Sequence, residues 1–267
     1  MDKLEVNYHS HTSRCGHAFG NDEDFVLAAI KTGFKIYGFS DHVMLPGLSQ
    51  PGIRGDFSLA ADYFLSVKSL KEKYKDKILI HVGYEAEWYG TTFKRYYRDL
   101  LRSHTVDYLL LGQHCFLKER ELVFYGRLEE KKEALNKYAA DLIEGIESGL
   151  FSAICHPDLY RSFYPYEDDD SRAVARRIVE AAVKADIPLE VNMGPSRWGR
   201  KESQDGSINV AYPSDELFSI ASELGAKCII GVDDHMPSDL VISPYDWIDS
   251  FVNKHHLRMV KVLPLDE

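Results

Sequence analysis

Short β-prone apolar runs alternate along this chain with longer stretches of helical spacing. The runs Leu4 to Tyr8, Ile36 to Phe39, Ile78 to Tyr84, Tyr108 to Leu111, Phe151 to Cys155, Pro188 to Met193 and Lys227 to Val232 predict seven strands. Between them the spacing predicts helices over Asp22 to Thr32, Leu59 to Tyr74, Thr91 to Ser103, Leu128 to Ser148, Ser171 to Ala185 and Ser214 to Leu224. Several open with Asp, Ser or Thr at the cap position. Alternation of this kind predicts an α/β fold with a parallel sheet. A last run, Arg258 to Leu263, adds an edge strand.

The polar residues decide between an open sheet and a closed barrel. The seven strand ends read His9-Ser-His11, Ser40-Asp41-His42, Glu85-Ala-Glu87, Gln113-His114, His156-Pro-Asp158, Asn192 and Asp233-Asp-His235. Each carries a potential ligand or proton carrier. An open sheet gathers such residues at its switch point, whereas a barrel delivers every strand end to one face. Closure into a barrel is therefore expected. The loops Leu45 to Asp56 and Arg197 to Pro213 are long enough to lie over that face as lids. The acidic run Glu167 to Asp170 reads as carboxylates at a helix N-terminus.

No Gly- or Pro-rich linker divides the 267 residues, so 1–267 is read as one domain. The net charge of −10 argues against a general grip on nucleic acid or anionic membrane, and any phosphate must be held locally. Cys15, Cys115, Cys155 and Cys228 form no C-x-x-C pair, which favours a reducing compartment. With no apolar run near the ~18 residues of a membrane span and no apolar leader at Met1 to Glu5, a cytoplasmic location is expected. The sequence is silent on oligomeric state.

Seven of the eleven histidines, His9, His11, His17, His42, His114, His156 and His235, fall at or just after a predicted strand end. His9 and His11 are two apart, as are Asp233 and His235, so each pair projects to one face of a strand. Glu85 ends a third strand, where its two oxygens could bridge two cations. So many imidazoles and carboxylates at one barrel mouth would be costly to desolvate without dense pairing or bound metal. Imidazole-rich ligation suits zinc, manganese, iron or cobalt better than magnesium. More ligands are present than one ion needs, so two or three ions are expected. His81, His104, His255 and His256 lie elsewhere and are read as structural.

The set His9-x-His11, His17, Asp41-His42, Glu85, His114, His156-Pro-Asp158 and Asp233-x-His235 resembles the motifs of the polymerase and histidinol phosphatase (PHP) superfamily, in order across the chain. Cys15-Gly16-His17-Ala18 and Gly38-Phe39-Ser40-Asp41-His42 resemble its monofunctional histidinol-phosphate phosphatases. The stretch Gly112-Gln113-His114-Cys115-Phe116 departs from the Ser-x-His form expected there. The resemblance implies a distorted (β/α)7 barrel and a trinuclear centre. It assigns His9, His11, Glu85 and Asp233 to one ion, Glu85, His114 and His156 to a second, and His17, His42 and His235 to a third. Asp41 and Glu87 would orient imidazoles or support the cluster.

The expected reaction is hydrolysis of a small phosphate monoester, L-histidinol phosphate on the strength of the resemblance. A metal-bridging water would attack phosphorus in line, with no covalent enzyme intermediate. Glu85 and Asp233 are the candidate catalytic residues, Asp233 as acceptor of the water's proton. Arg161 and Arg197, on the loops after strands five and six, are the candidate phosphate donors, an assignment the resemblance supports; Arg14 and Arg54 are rivals. Tyr89, Glu121, Tyr160 and Trp198 could meet the amino-alcohol. A covalent cysteine route rests on Cys155 with Arg161 six residues on; alternation beside His156 should turn Cys155 toward the helices instead. The runner-up is a phosphodiesterase or nucleotide phosphatase on the same scaffold. A structural or polymerase-accessory metal module is the non-enzymatic alternative.

Overall fold

The computed structural model describes residues 4–198, 201–202 and 208–265. The chain runs β1 (Val6–Asn7), α1 (Asp22–Thr32), β2 (Ile36–Phe39), α2 (Ala60–Lys73) and β3 (Leu79–Ala86). It continues through α3 (Lys94–Arg102), β4 (Tyr108–Leu111), a hairpin of β5 (Cys115–Lys118) and β6 (Glu121–Phe124), α4 (Lys131–Glu147) and β7 (Ala153–Ile154). Then follow α5 (Asp169–Ala185), β8 (Leu189–Asn192), α6 (Pro195–Trp198), the short pair β9 (Lys201–Glu202) and β10 (Ile208–Asn209), and α7 (Asp215–Glu223). The last elements are β11 (Lys227–Gly231), α8 (Asp239–Ile242), α9 (Tyr245–Lys254) and β12 (Arg258–Met259).

All seven predicted strands are present and pair in parallel in the order β1-β2-β3-β4-β7-β8-β11, with β12 parallel to β11 as the added strand. The sheet curls until its ends meet at the mouth. There Ser10 and Asp234 form a parallel bridge, His11 N–H donates to Asp234 O (2.9 Å), and Asp233 N–H donates to His9 O (2.9 Å). At the base β12 pairs with β11, and Leu263 packs with Tyr8 and Ile229. Closure at one end and an inserted strand at the other are what distort the barrel.

The strands' two-residue alternation separates two cores. Leu109, Leu111, Ile154, Leu189 and Val191 face the helices and join the large outer cluster. Tyr8, Tyr108, Leu110, Ala153, Cys155 and Ile229 fill the lumen. Tyr108 lies across it, donating to Tyr8 O (2.6 Å), because its neighbours are Gly38 and Gly83. A Cβ on either glycine would meet the Tyr108 side chain, at 2.3 and 2.7 Å.

The helix over Asp22 to Thr32 has the bounds expected of it. Strands β1 and β7 are two residues each, shorter than predicted: past Asn7 the chain stays extended into the Ser10–Asp234 bridge of the seam, and past Ile154 it turns at His156. The β5–β6 hairpin and helices α8 and α9 were not anticipated. Glu119, at φ +56°, makes the hairpin turn inside a stretch that reads as loop. The signal for α9 was Pro244 followed by Ile248, Phe251 and Val252 at helical spacing. Among the described residues no helix is long and apolar enough to cross a membrane.

Asn7 locks the seam. Its amide donates to His9 O (3.0 Å) and Asp234 Oδ1 (2.8 Å), and its oxygen accepts from Val232 N–H (3.0 Å). All of these are buried, so Asn7→Ala should lower unfolding stability by about 2–3 kcal/mol through the partners it orphans. Urea melts of the metal-free protein check this; an unchanged midpoint would show the seam is held by backbone alone.

Candidate metal centre

The strand ends converge because the barrel closes at the mouth. His9 and His11 extend β1 on one face, and Asp233 and His235 follow β11 across the seam. His42 leaves β2 and bridges to Glu85 at the end of β3. His114 follows β4. His156 follows β7 at φ +28°, and Asp233 has φ +55°, both in the left-handed region where non-glycine residues need outside restraint. His17 enters after the Ser13–Cys15 turn, closed by Gly16 at φ +86°.

Glu85 stands at the centre, 1% exposed. Its Oε1 lies 2.7 Å from His156 Nε2 and 3.2 Å from His114 Nε2. Oε2 lies 3.1 Å from His42 Nδ1 and 3.6 Å from both His9 Nε2 and His11 Nε2. Asp233 Oδ1 is 3.1 Å from His11 Nε2 and 3.5 Å from His9 Nε2. The His235 ring stacks on His11 at 4.1 Å, and His17 sits 4.8 Å from His235 and 5.3 Å from His42. All nine expected ligands are thus in one cluster. Three-atom groups able to hold an ion include His9, His11 and Asp233; His42, Glu85 and His114; and His11, His42 and His235.

The donor set fits divalent transition ions. Ring nitrogens of His9 and His11 face each other at 3.2 Å, and buried Glu85 Oε2 has no hydrogen-bond donor although three imidazoles crowd it. Burial resists every charge here, yet the carboxylates push His11 up to about 9 and His114 up to about 10. The same imidazoles hold Asp233 and Glu85 well below the carboxylate range. Burial and the neighbouring His11 lower His235 to about 3. Divalent ions held here would displace protons from His11 and His114.

Supports lie behind the ligands. Glu87 pairs with buried Arg54 (2.6 Å) and contacts His114 Nδ1 (3.2 Å); burial opposes its charge, but Arg54 and His114 hold it at about 2. Arg54 also donates to Val43 O (3.0 Å) and Gln50 Oε1 (2.9 Å), which ties the 45–56 loop to the site. Thr12 donates to Asp41, whose other oxygen accepts from His42 N–H (2.8 Å). Asp239 accepts from His235 N–H (2.9 Å). Sequence reasoning overlooked Asp239, Asp234 and Glu190. The signal for Glu190 was a lone carboxylate in an apolar strand, two residues from Asn192 and so on the same inward face.

A cavity of about 350 Å³ opens over the cluster, walled otherwise by Ile53, Phe124 and Tyr212. Neither arginine expected to hold phosphate lines it. Arg161 sits in the neighbouring cleft, donating to Tyr166 O (2.6 Å) and Glu167 (3.1 Å), because the loop after His156-Pro-Asp158 turns away in a 3-10 helix. Arg197 lies behind the cluster, donating to Asp233 O (2.7 Å) and Ser243 Oγ (2.9 Å). Arg14 is taken up by Asp22 and Asp62. Tyr89 and Tyr160 are buried in aromatic packing, and Glu121 is exposed on β6. The Trp198 side chain and residues 199–200 and 203–207 of the expected lid lie outside the described residues. Cys155 faces the lumen rather than the helices, because alternation from Ala153 and Ile154 continues through it, and it is His156, at φ +28°, that breaks the alternation and also points inward. Its fully buried thiol is pushed well up by desolvation, which argues against a thiolate nucleophile.

Residues 7–194 match the PHP domain family. The chain belongs to that family. A protein of Deinococcus radiodurans named a probable histidinol-phosphatase is 25% identical over 242 residues, covering 87% of this chain and 86% of the relative. The histidinol-phosphatase of Lactococcus lactis is 25% identical over 265 residues, covering 93% and 87%. A crystal structure of the Lactococcus lactis histidinol phosphate phosphatase, complexed with zinc, L-histidinol and phosphate, superposes with a TM-score of 0.69 at 17% identity over 96% of this chain and 95% of that one. At that identity the likeness is one of fold, and it places this PHP chain on the same distorted barrel.

A glycine leaves room for the central carboxylate. A Cβ on Gly112 would stand 2.1 Å from Glu85 Oε1. Gly112→Ala should therefore displace Glu85 while substituting none of the nine candidate ligands, and the purified variant should carry fewer ions per chain by elemental analysis. Native metal content in Gly112→Ala would mean that Glu85 does not join the ions.

Proposed function

We propose that this PHP protein hydrolyses a phosphate monoester, L-histidinol phosphate, to L-histidinol and phosphate with two or three divalent transition ions. The observation that carries the reading is Glu85, one buried carboxylate shared among the imidazoles of His9, His11, His42, His114 and His156 under an open cavity. The names of the relatives supply the substrate. His9, His11, Glu85 and Asp233 would hold one ion, Glu85, His114 and His156 a second, and His17, His42 and His235 a third, drawn from zinc, manganese, iron or cobalt. Such ions, when bound, acidify water and neutralise phosphate oxygens.

The chain's residues do the remaining work. Water attacks phosphorus, the bond to the histidinol oxygen breaks, and Asp233 takes the water's proton and returns it to the leaving alkoxide. No covalent enzyme intermediate is needed, and Cys155 is too deeply buried to form one. Ile53, Phe124 and Tyr212 supply an apolar wall that can hold an imidazole ring while excluding water from the phosphate. Arg197 braces Asp233 through its carbonyl, and Asp239, accepting from His235 N–H, fixes the next ligand on the same loop.

Phosphate release from L-histidinol phosphate should be abolished by chelation and restored by added metal. Glu85→Gln should lower kcat by roughly 100-fold or more, since it removes the shared charge. Preference for a diester or a nucleotide monophosphate would keep the metal chemistry and overturn the substrate. Metal uptake with no hydrolysis of any ester would indicate a structural or accessory module. Arg197→Ala should lower kcat, because Asp233 loses its brace, whereas Arg161→Ala should leave both constants near native. A rise in KM alone for either variant would instead put that arginine on the phosphate.

A further inference from the structure

We propose that Glu190, on β8 beneath the cluster, is a positioning residue that aligns ligands of two different ions at once, an inference resting on the reading of the cluster as a metal centre. Its two oxygens face opposite ways and meet only donors. Oε1 lies 2.7 Å from His9 Nδ1, while Oε2 accepts from His156 N–H (2.9 Å) and from Asn192 Nδ2 (2.8 Å). The carboxylate is 3% exposed, so these partners, not water, satisfy it.

The His9 contact sets which ring nitrogen is free. His9 Nε2 faces Glu85, Asp233 and His11, so Nδ1 must carry the proton for Nε2 to offer a lone pair to an ion. A carboxylate at 2.7 Å holds that tautomer. The His156 contact works on the backbone: His156 stands at φ +28°, and the N–H bond to Glu190 restrains the turn that brings Nε2 to 2.7 Å from Glu85 Oε1. One side chain therefore joins a ligand of the first ion to a ligand of the second.

The fold reserves space for this group as it does for Glu85. On the neighbouring strand Gly231 pairs with Asn192, and a Cβ there would stand 1.6 Å from Glu190 Oε1. Two inward carboxylates thus cross two strand-end glycines, Glu85 over Gly112 and Glu190 over Gly231. Glutamine cannot replace Glu190. It has one acceptor oxygen, and its NH2 must then face either the His156 N–H, donor against donor, or His9 Nδ1, which switches the tautomer and puts a proton on the ligating nitrogen.

The test is titration of metal-free protein with Co²⁺, followed by visible absorption, for native, Glu190→Gln and Gly231→Ala chains, with melting of each metal-free form. Gly231→Ala keeps the carboxylate but forces it aside, so it carries the test if Glu190→Gln does not fold. Both variants should bind Co²⁺ about 10–100-fold more weakly, with an altered saturating spectrum. Native affinity and spectrum in either folded variant would overturn the positioning role, as would a lowered metal-free melting point with unchanged Co²⁺ binding. Failure of the native chain itself to bind Co²⁺ would overturn the metal-centre reading and this inference with it.

Discussion

The Glu85 carboxylate is the constraint on which the mouth of the barrel depends. A buried anion is costly unless positive groups surround it, and five imidazoles from β1, β2, β4 and β7 approach its two oxygens. Those imidazoles in turn crowd one another, with His9 and His11 nitrogens 3.2 Å apart and His235 stacked on His11. Neither partial set is stable alone. Charge of both signs must be delivered together, and the closed mouth of a barrel is the geometry that brings so many strand ends within reach of one carboxylate.

Closure explains the lumen as well. At the seam the bonds from His11 N–H and Asp233 N–H belong to residues of the candidate metal cluster, so closing the barrel and assembling that cluster are the same event. Asp234 sits in this seam with its side chain turned away from the cluster, accepting from Asn7 (2.8 Å) and the Tyr37 hydroxyl (2.5 Å). Burial pushes it up to about 7, against the opposing effects of the Tyr37 hydroxyl and Arg197. The result is a layered barrel, with Tyr108 and aliphatic side chains below, carboxylates over glycines above them, and imidazoles at the mouth.

What could be read from the sequence follows from what repeats locally. Strand and helix rhythm, the His9-x-His11 and Asp233-x-His235 pairs and Glu85 at a strand end are short-range patterns, and the structure brings these five residues together with His17, His42, His114 and His156. Arg161 shows where such reasoning fails. Its place after a ligand-bearing strand suggested a phosphate donor, but a 3-10 helix turns it into the next cleft, onto Glu167. Cys155 fails for a related reason, since the expectation took His156 to keep the strand's alternation, whereas the left-handed turn at His156 brings it to the same side as Cys155. Arg54 and Glu87 are 33 residues apart, and nothing local announces that they pair beneath His114.

Glu190 and the two glycines explain why the supports are harder to read than the ligands. A candidate ligand sits where a strand ends and polarity is conspicuous, whereas Glu190 sits inside Leu189-Glu190-Val191-Asn192, whose apolar members face the helices. Its meaning depends on registry with the next strand, because only pairing of Gly231 with Asn192 clears the space for its carboxylate. Registry is a property of the closed barrel rather than of any segment. A barrel that drifted by one residue would keep every histidine in its sequence position, yet it would put side chains where Gly112 and Gly231 now leave gaps, and both carboxylates would lose their places.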